Sequence, residues 1–158
     1  MHPLLALSFY NLIPSCGVCN SGVKHTADFQ LGTHYHPYFD DYLNEYTFSY
    51  EYTNKTPSGL GILLNTRTVK SSNTLSELET KVIYNSHDYE LKILLDMRYK
   101  FSDNYLSILQ EKVLCGISIS AEELYSIAFG SEMQEGKFGH RPFSKFKNDI
   151  LRELGIIT

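Results

Sequence analysis

Between residues 46 and 53 aromatic and polar side chains alternate, with Tyr46, Phe48, Tyr50 and Tyr52 set against Thr47, Ser49 and Glu51. A period of two predicts a strand with one buried and one solvated face, because successive side chains leave opposite sides of the pleat. Residues 54–59 (Asn-Lys-Thr-Pro-Ser-Gly) form a cluster of turn formers. Residues 60–69 read as a second strand, which pairs with the first as a hairpin. Beyond residue 74 the period lengthens. Thr74 and Glu77 have capping-box spacing and predict a helix to about residue 84, with a break near Asn85-Ser86. Leu91, Leu94, Leu95, Met97, Phe101, Tyr105, Ile108 and Leu109 then recur at three- and four-residue steps, predicting one longer helix that Gly116 stops. A second capping box, Ser120 to Glu123, opens a helix through about residue 129. Residues 142–154 are amphipathic through Phe143, Phe146, Ile150, Leu151 and Leu154, with Gly155 as the C′ residue.

The N-terminal third is less regular. Residues 3–12 are dense in apolar groups and predict a short helix or turn packed on the core. Pro14 favours an extended Ile13. Asn20 is placed to cap a helix over residues 20–27, weakened by Gly22, and residues 32–41 read as a loop rich in histidine and aromatic groups. Together these elements predict an α+β chain: a hairpin, then a mainly helical C-terminal half. A division falls near residue 70, with 1–70 as the motif-bearing region and 71–158 as a helical region packed on it, the two forming either two parts or one single domain.

Composition narrows the picture. At 158 residues and 18.1 kDa the chain is long enough for one adequate core. A formal net charge of −4 gives no global attraction to nucleic acid, so any such partner needs a local basic patch or a metal ion. No apolar run reaches the ~18 residues needed to span a bilayer, which predicts no membrane partner. Cys16, Cys19 and Cys115 do not form a disulfide framework, which predicts a reducing cytoplasmic setting with the close pair kept for a metal. Residues 13–17 have a loose likeness to a lipoprotein cleavage box, but no basic residue precedes the apolar run and Asn11 and Pro14 interrupt it.

The chemistry concentrates in residues 10–20. Two thiolates at the spacing of Cys16 and Cys19 can grip one zinc ion from a tight turn. A tetrahedral site needs four ligands, so this pair supplies half. His25, His34, His36 and Cys115 are candidates within the chain for the rest, and a segment N-terminal to it is another. A redox pair or two ordinary buried thiols are the competing readings; no strand–helix context of the thioredoxin kind accompanies the pair.

The run Tyr10-Asn11-Leu12-Ile13-Pro14-Ser15-Cys16-Gly17-Val18-Cys19-Asn20 resembles the second half of the HNH, or ββα-metal, endonuclease motif. In that family an Asp-His pair opens the site, a strand returns through Asn-Leu, and Cys-x-x-Cys-Asn enters a helix. The resemblance implies that Asn11 ties the loop together and orients the catalytic histidine. Asn20 becomes a ligand of a catalytic Mg²⁺ or Mn²⁺ or a partner of the groups that ligate it, and Cys16 and Cys19 become half of a structural Zn²⁺ site. The implied activity is metal-assisted phosphodiester hydrolysis of nucleic acid, DNA in the first instance. Asp28-Phe29, His36-Pro37-Tyr38 with Asp40-Asp41, and residues 141–145 extend the likeness to a bacterial subfamily with a helical C-terminal half. The catalytic Asp-His and the first CxxC are not among these residues, and Val23 stands where the family usually has lysine. They are expected just upstream of Met1, and the isolated chain is expected to be weak or inactive as a nuclease. The alternative is a non-catalytic zinc-binding interaction module of a bacterial defence-type complex, with a protein partner such as an ATPase.

Other residues have simpler expectations. His34 and His36 lie two apart and can face one metal, but packing of the 36–38 loop on the core is preferred. His87 and His140 are expected to be structural or surface residues, and Cys115 a buried thiol. Tyr46, Phe48, Tyr50 and Tyr52 are expected to make core rather than stack bases. Lys145, Lys147 and Arg152 are expected to form a solvated helix face rather than a phosphate site.

Overall fold

A computed structural model describes residues 17–36, 38–40 and 43–157, and places helices around one two-stranded hairpin. The expected helix or turn over 3–12 and the extended segment at Ile13 lie outside the described residues. The chain divides into two compact units, one of Met1–Tyr46 with Thr66–Thr80, the other of Thr47–Asn65 with Lys81–Thr158.

The hairpin follows the alternation. Strand β1 is Tyr46–Tyr52 and β2 is Leu60–Thr66. They are antiparallel, and one register holds at both ends: Thr53 N–H donates to the Gly59 carbonyl and Arg67 N–H to the Glu45 carbonyl. Gly59 takes φ +75° in the turn, a conformation that side chains resist. In this register Phe48 and Ile62 lie on the apolar face and are buried, while Thr47 stands opposite Asn65 on the polar face. The second strand ends three residues short of the expected Val69. Thr68 instead caps a helix: its hydroxyl accepts from Ser71 N–H, and Ser71 Oγ accepts from Thr68 N–H. This reciprocal cap starts α1 (Val69–Glu77) six residues before the expected box at Thr74. Thr74 lies inside α1, where its hydroxyl donates back to the Lys70 carbonyl.

After α1 come α2 (Thr80–Asn85), which belongs to the second unit from Lys81 onward, and then α3 (Asp88–Lys100), α4 (Asp103–Ile108), α5 (Ala121–Phe129) and α6 (Ser144–Glu153). The expected long helix to Gly116 is interrupted at Phe101, because Ser102 turns extended and caps α4 through Tyr105 N–H. A π-helical turn over Leu109–Val113 continues α4. The second predicted capping box is present. Ser120 Oγ accepts from Glu123 N–H at 3.1 Å, and the Glu123 carboxylate accepts from Ser120 N–H at 2.9 Å. Gly130 closes α5 in the left-handed conformation.

Helix α6 is the spine of this unit. Phe146, Ile150 and Leu151 are fully buried, and the helix packs against α3. Phe48, Tyr84 and Phe146 form an aromatic cluster, with centroids 4.4 Å apart for Phe48–Tyr84 and 5.4 Å for the edge-on Phe48–Phe146 pair.

Two side chains close the outer edges of the hairpin. On β2, Asn85 Oδ1 accepts from Ile62 N–H at 2.8 Å while its Nδ2 donates to the Ile62 carbonyl at 3.4 Å. On β1, Phe48 N–H donates to Asp149 Oδ2 at 2.9 Å. The turn is tied to α3 by Ser58, whose hydroxyl donates to Asp88 at 2.7 Å. That bond holds the Asp88 carboxyl below the usual aspartate range. Among the described residues no helix is long and apolar enough to cross a membrane.

Asn85→Ala removes the partner of a strand N–H facing a helix, and an unsatisfied donor of that kind costs about 1–3 kcal/mol. Urea denaturation should show that loss for Asn85→Ala, while Glu51→Ala on the exposed face stays within about 0.5 kcal/mol of the parent. Equal midpoints for the two variants would show that Asn85 does not hold the edge.

Candidate functional site

The cysteine–asparagine run enters the described residues at Gly17. A π-helical segment over Val18–Lys24 begins directly after it, with Gly17 at its N-cap and Lys24 in its last turn. His25, at φ 41°, ends the segment. Asn20 is therefore an interior helical residue and not the N-cap expected from the sequence, because the helix starts before it rather than at it. Asn11 and Cys16 lie outside the described residues, as do the side chains of Cys19 and Asn20.

The loop that follows is held by hydrogen bonds to α1, within the same unit. Tyr35 N–H donates to Thr74 Oγ1 at 2.9 Å, and the Tyr35 hydroxyl is 2.9 Å from Thr68 Oγ1. Asn73 donates to the Thr33 carbonyl at 3.3 Å. Asp40 accepts from His36 N–H at 2.7 Å and forms an ion pair with Lys70 at 2.9 Å. The His36 amide first, and the Lys70 ammonium second, hold the Asp40 carboxyl below the usual aspartate range.

His34 and His36 each contact an aromatic ring close in sequence. His34 lies 4.7 Å from the Phe29 ring, centroid to centroid, and its Nδ1 is 2.9 Å from the Thr33 hydroxyl. His36 lies 4.5 Å from the Phe39 ring, and its Nδ1 accepts from Tyr38 N–H at 3.2 Å. Each imidazole thus has its own local neighbours, but Tyr38 and Phe39 are exposed rather than packed on the core as expected; Pro37 lies outside the described residues. Among the described residues no group of three or more His, Cys, Asp and Glu side chains converges to hold a metal. Cys115 is exposed rather than buried, because the chain leaves its π-helical turn at Leu114 and carries Cys115 into a surface turn.

In the second unit the three basic residues of α6 are all engaged. Lys145 pairs with Asp149 at 2.7 Å, Lys147 with Glu90 at 3.2 Å, and Arg152 donates from Nε to Asn148 Oδ1 at 3.1 Å. The two lysines are mostly covered, which departs from the solvated face expected for them. Between β1 and α6 an open cleft of about 340 Å³ is lined by Thr47, Phe48, Ser49, Asn65, Asp149, Arg152 and Glu153. Sequence reasoning named Arg152 for its charge but missed the cleft. The available signal was the polar phase of the alternation, Thr47 and Ser49, facing a helix that repeats charged groups at one-turn spacing.

Comparison with protein-family models finds no match for this chain, and comparisons with curated proteins and with solved structures find none either.

Asp40 supplies a pH dependence whose sign follows from its lowered pKa. A carboxyl depressed in the folded state contributes stability above its unfolded value of about 3.9, and that contribution is lost as pH falls through the folded value. Carboxyl titration by NMR should place Asp40 below the unfolded value. In Lys70→Met the midpoint should rise, and the His36 amide resonance should move with it. A midpoint unchanged by that substitution would remove Lys70 as a cause.

Proposed function

We propose that this chain is the back half of an HNH-like nuclease centre, acting in metal-dependent phosphodiester hydrolysis of nucleic acid, with DNA as substrate. The carrying observation is the run from Asn11 through Cys16-x-x-Cys19-Asn20, which combines a thiolate pair with two amides at the spacing of that motif. The helical segment over Val18–Lys24 supports the reading, since Cys-x-x-Cys-Asn enters a helix in the family it resembles.

The donor chemistry sets what these residues can do. Cys16 and Cys19 fit zinc as soft thiolate ligands and fill half of a tetrahedral site. Asn20 offers a neutral oxygen suited to Mg²⁺ or Mn²⁺. Such an ion, when bound, supplies charge stabilisation at the phosphate and leaving oxygen. Asn11 positions the general base through a hydrogen bond. That base, a histidine preceded by aspartate, is not among these residues, so the isolated chain is weak or inactive in cleavage.

The same missing pair favours a second reading, a non-catalytic zinc-binding module that presents a surface to a protein partner such as an ATPase of a bacterial defence-type complex. This reading rests on analogy with the family.

Zinc content and plasmid nicking test both. The purified chain should carry zinc that Cys16→Ser or Cys19→Ser loses, and nicking with Mg²⁺ or Mn²⁺ should be at or near background. Absence of zinc from the unaltered chain would remove the basis of either reading. Strong nicking abolished by Asn20→Ala would instead show a complete catalytic centre and exclude the non-catalytic one.

A further inference from the structure

The cleft between β1 and α6 has a chemistry of its own. Arg152 is oriented by its Nε bond to Asn148, which is 3% exposed and whose amide in turn donates to the Met133 carbonyl at 3.5 Å. With Nε tied, the guanidinium plane is set, and its two terminal amino groups make no bond among the described residues. Next to it on α6, Glu153 accepts the Ser49 hydroxyl on Oε1 at 2.9 Å and keeps Oε2 open. The side chains of Thr47 and Asn65, opposite each other across the hairpin, make no hydrogen bond among the described residues either.

Charge then selects the ligand. Lys145 donates to both oxygens of Asp149, at 2.8 and 2.7 Å, and neutralises it. Arg152 and Glu153 offset each other, so the cleft is neutral overall. A bare phosphate gains little in such a place, and a cation no more. What fits is a flat neutral group with two acceptors side by side for the guanidinium fork and donors on the adjoining edge for the carboxylate. Guanine presents O6 and N7 on one edge, where a bidentate arginine is the commonest specific contact, and N–H donors on the next. Adenine puts a donor beside N7 and mismatches the fork, and the pyrimidines have no N7.

We propose that this cleft binds a guanine base of single-stranded nucleic acid, with Arg152 donating to O6 and N7 and Glu153 accepting from the amino edge. Single strands expose those edges without a groove to restrict access. The inference rests on the nucleic-acid reading above for its ligand class, but not on any cleavage.

The test is fluorescence anisotropy of the full chain in EDTA with a short oligothymidine carrying one central guanine. That strand should bind about 5- to 160-fold tighter than oligothymidine alone, the range that 1–3 kcal/mol of base discrimination gives. Replacing the guanine by 7-deazaguanine, which lacks N7, should remove most of the preference. So should Arg152→Lys, which keeps the charge and loses the fork. Glu153→Gln should bind the guanine and inosine strands alike. Both substituted side chains are exposed, and unchanged thermal melts confirm that the fold is kept. Equal binding of the guanine and all-thymine strands overturns the proposal, and so does a guanine preference that survives Arg152→Lys. Displacement by guanosine monophosphate at equal concentration overturns the strand as ligand. Because EDTA suppresses cutting, a chain that selects guanine but never nicks DNA fails only the nuclease reading. One that nicks without selecting guanine fails only this one.

Discussion

A two-stranded sheet has no interior: both of its strands are edges, and each offers a row of unpaired N–H and carbonyl groups. The second unit depends on how those edges are closed. Asn85 presents one acceptor and one donor to Ile62, the same pair of groups that a third strand would present. Asp149 takes the Phe48 N–H on the opposite edge. Both clamps come from helices that also pack an aromatic ring, Tyr84 or Phe146, on Phe48, so the hydrogen bonds fix the register of that packing as well as satisfying the backbone. The carboxylate at Asp149 is stabilised in turn by Lys145 one turn earlier, which keeps a charge in a mostly covered position. Closing edges with side chains also leaves less of the sheet open to pairing with another chain.

This arrangement explains the aromatic content of β1. Phe48 sits between Tyr84 and Phe146, where edge-on and tilted contacts fill the space between hairpin and helices. Tyr52 at the end of the strand is 79% exposed, since the helices do not extend that far. One alternating stretch thus serves two environments. Its centre makes core, and its end faces water.

The parts legible in the sequence are those decided by nearest neighbours. Period-two alternation placed β1 to within a residue, and the Ser120–Glu123 box placed α5, because both signals are written in contiguous residues and need no tertiary partner. The misplaced boundaries share a cause. Thr68-Ser71 and Thr74-Glu77 both carry capping chemistry, and in the fold the Thr74 hydroxyl is engaged elsewhere, by Tyr35 N–H thirty-nine residues earlier and by the Lys70 carbonyl. The break at Phe101-Ser102 competes in the same way with a hydrophobic period that runs through it unbroken. Of the candidate site, the Cys-x-x-Cys-Asn spacing was legible, but the start of its helix was not, because Gly17 carries no side chain to announce a cap. The Arg152 cleft was hidden because its members come from two strands and a helix more than eighty residues apart.

The described residues of the two units differ in what holds them. Every buried apolar side chain among the described residues belongs to the second unit, from Phe48 to Ile156. Among the described residues of the first unit the buried groups are Ser71 and Thr74, and the loop that crosses α1 is attached there by hydrogen bonds and an ion pair. Such bonds contribute about 1 kcal/mol each in net terms, far less than a packed aliphatic core of the same size. On the proposed reading, a segment that holds a thiolate pair and two amides in fixed geometry gains from a cross-link that does not depend on apolar area. A structural zinc ion is such a cross-link, since its binding free energy is also folding free energy for the residues it joins. On the proposed reading, zinc in this unit adds a cross-link to the hydrogen bonds around α1 and leaves the polar groups around it available for chemistry.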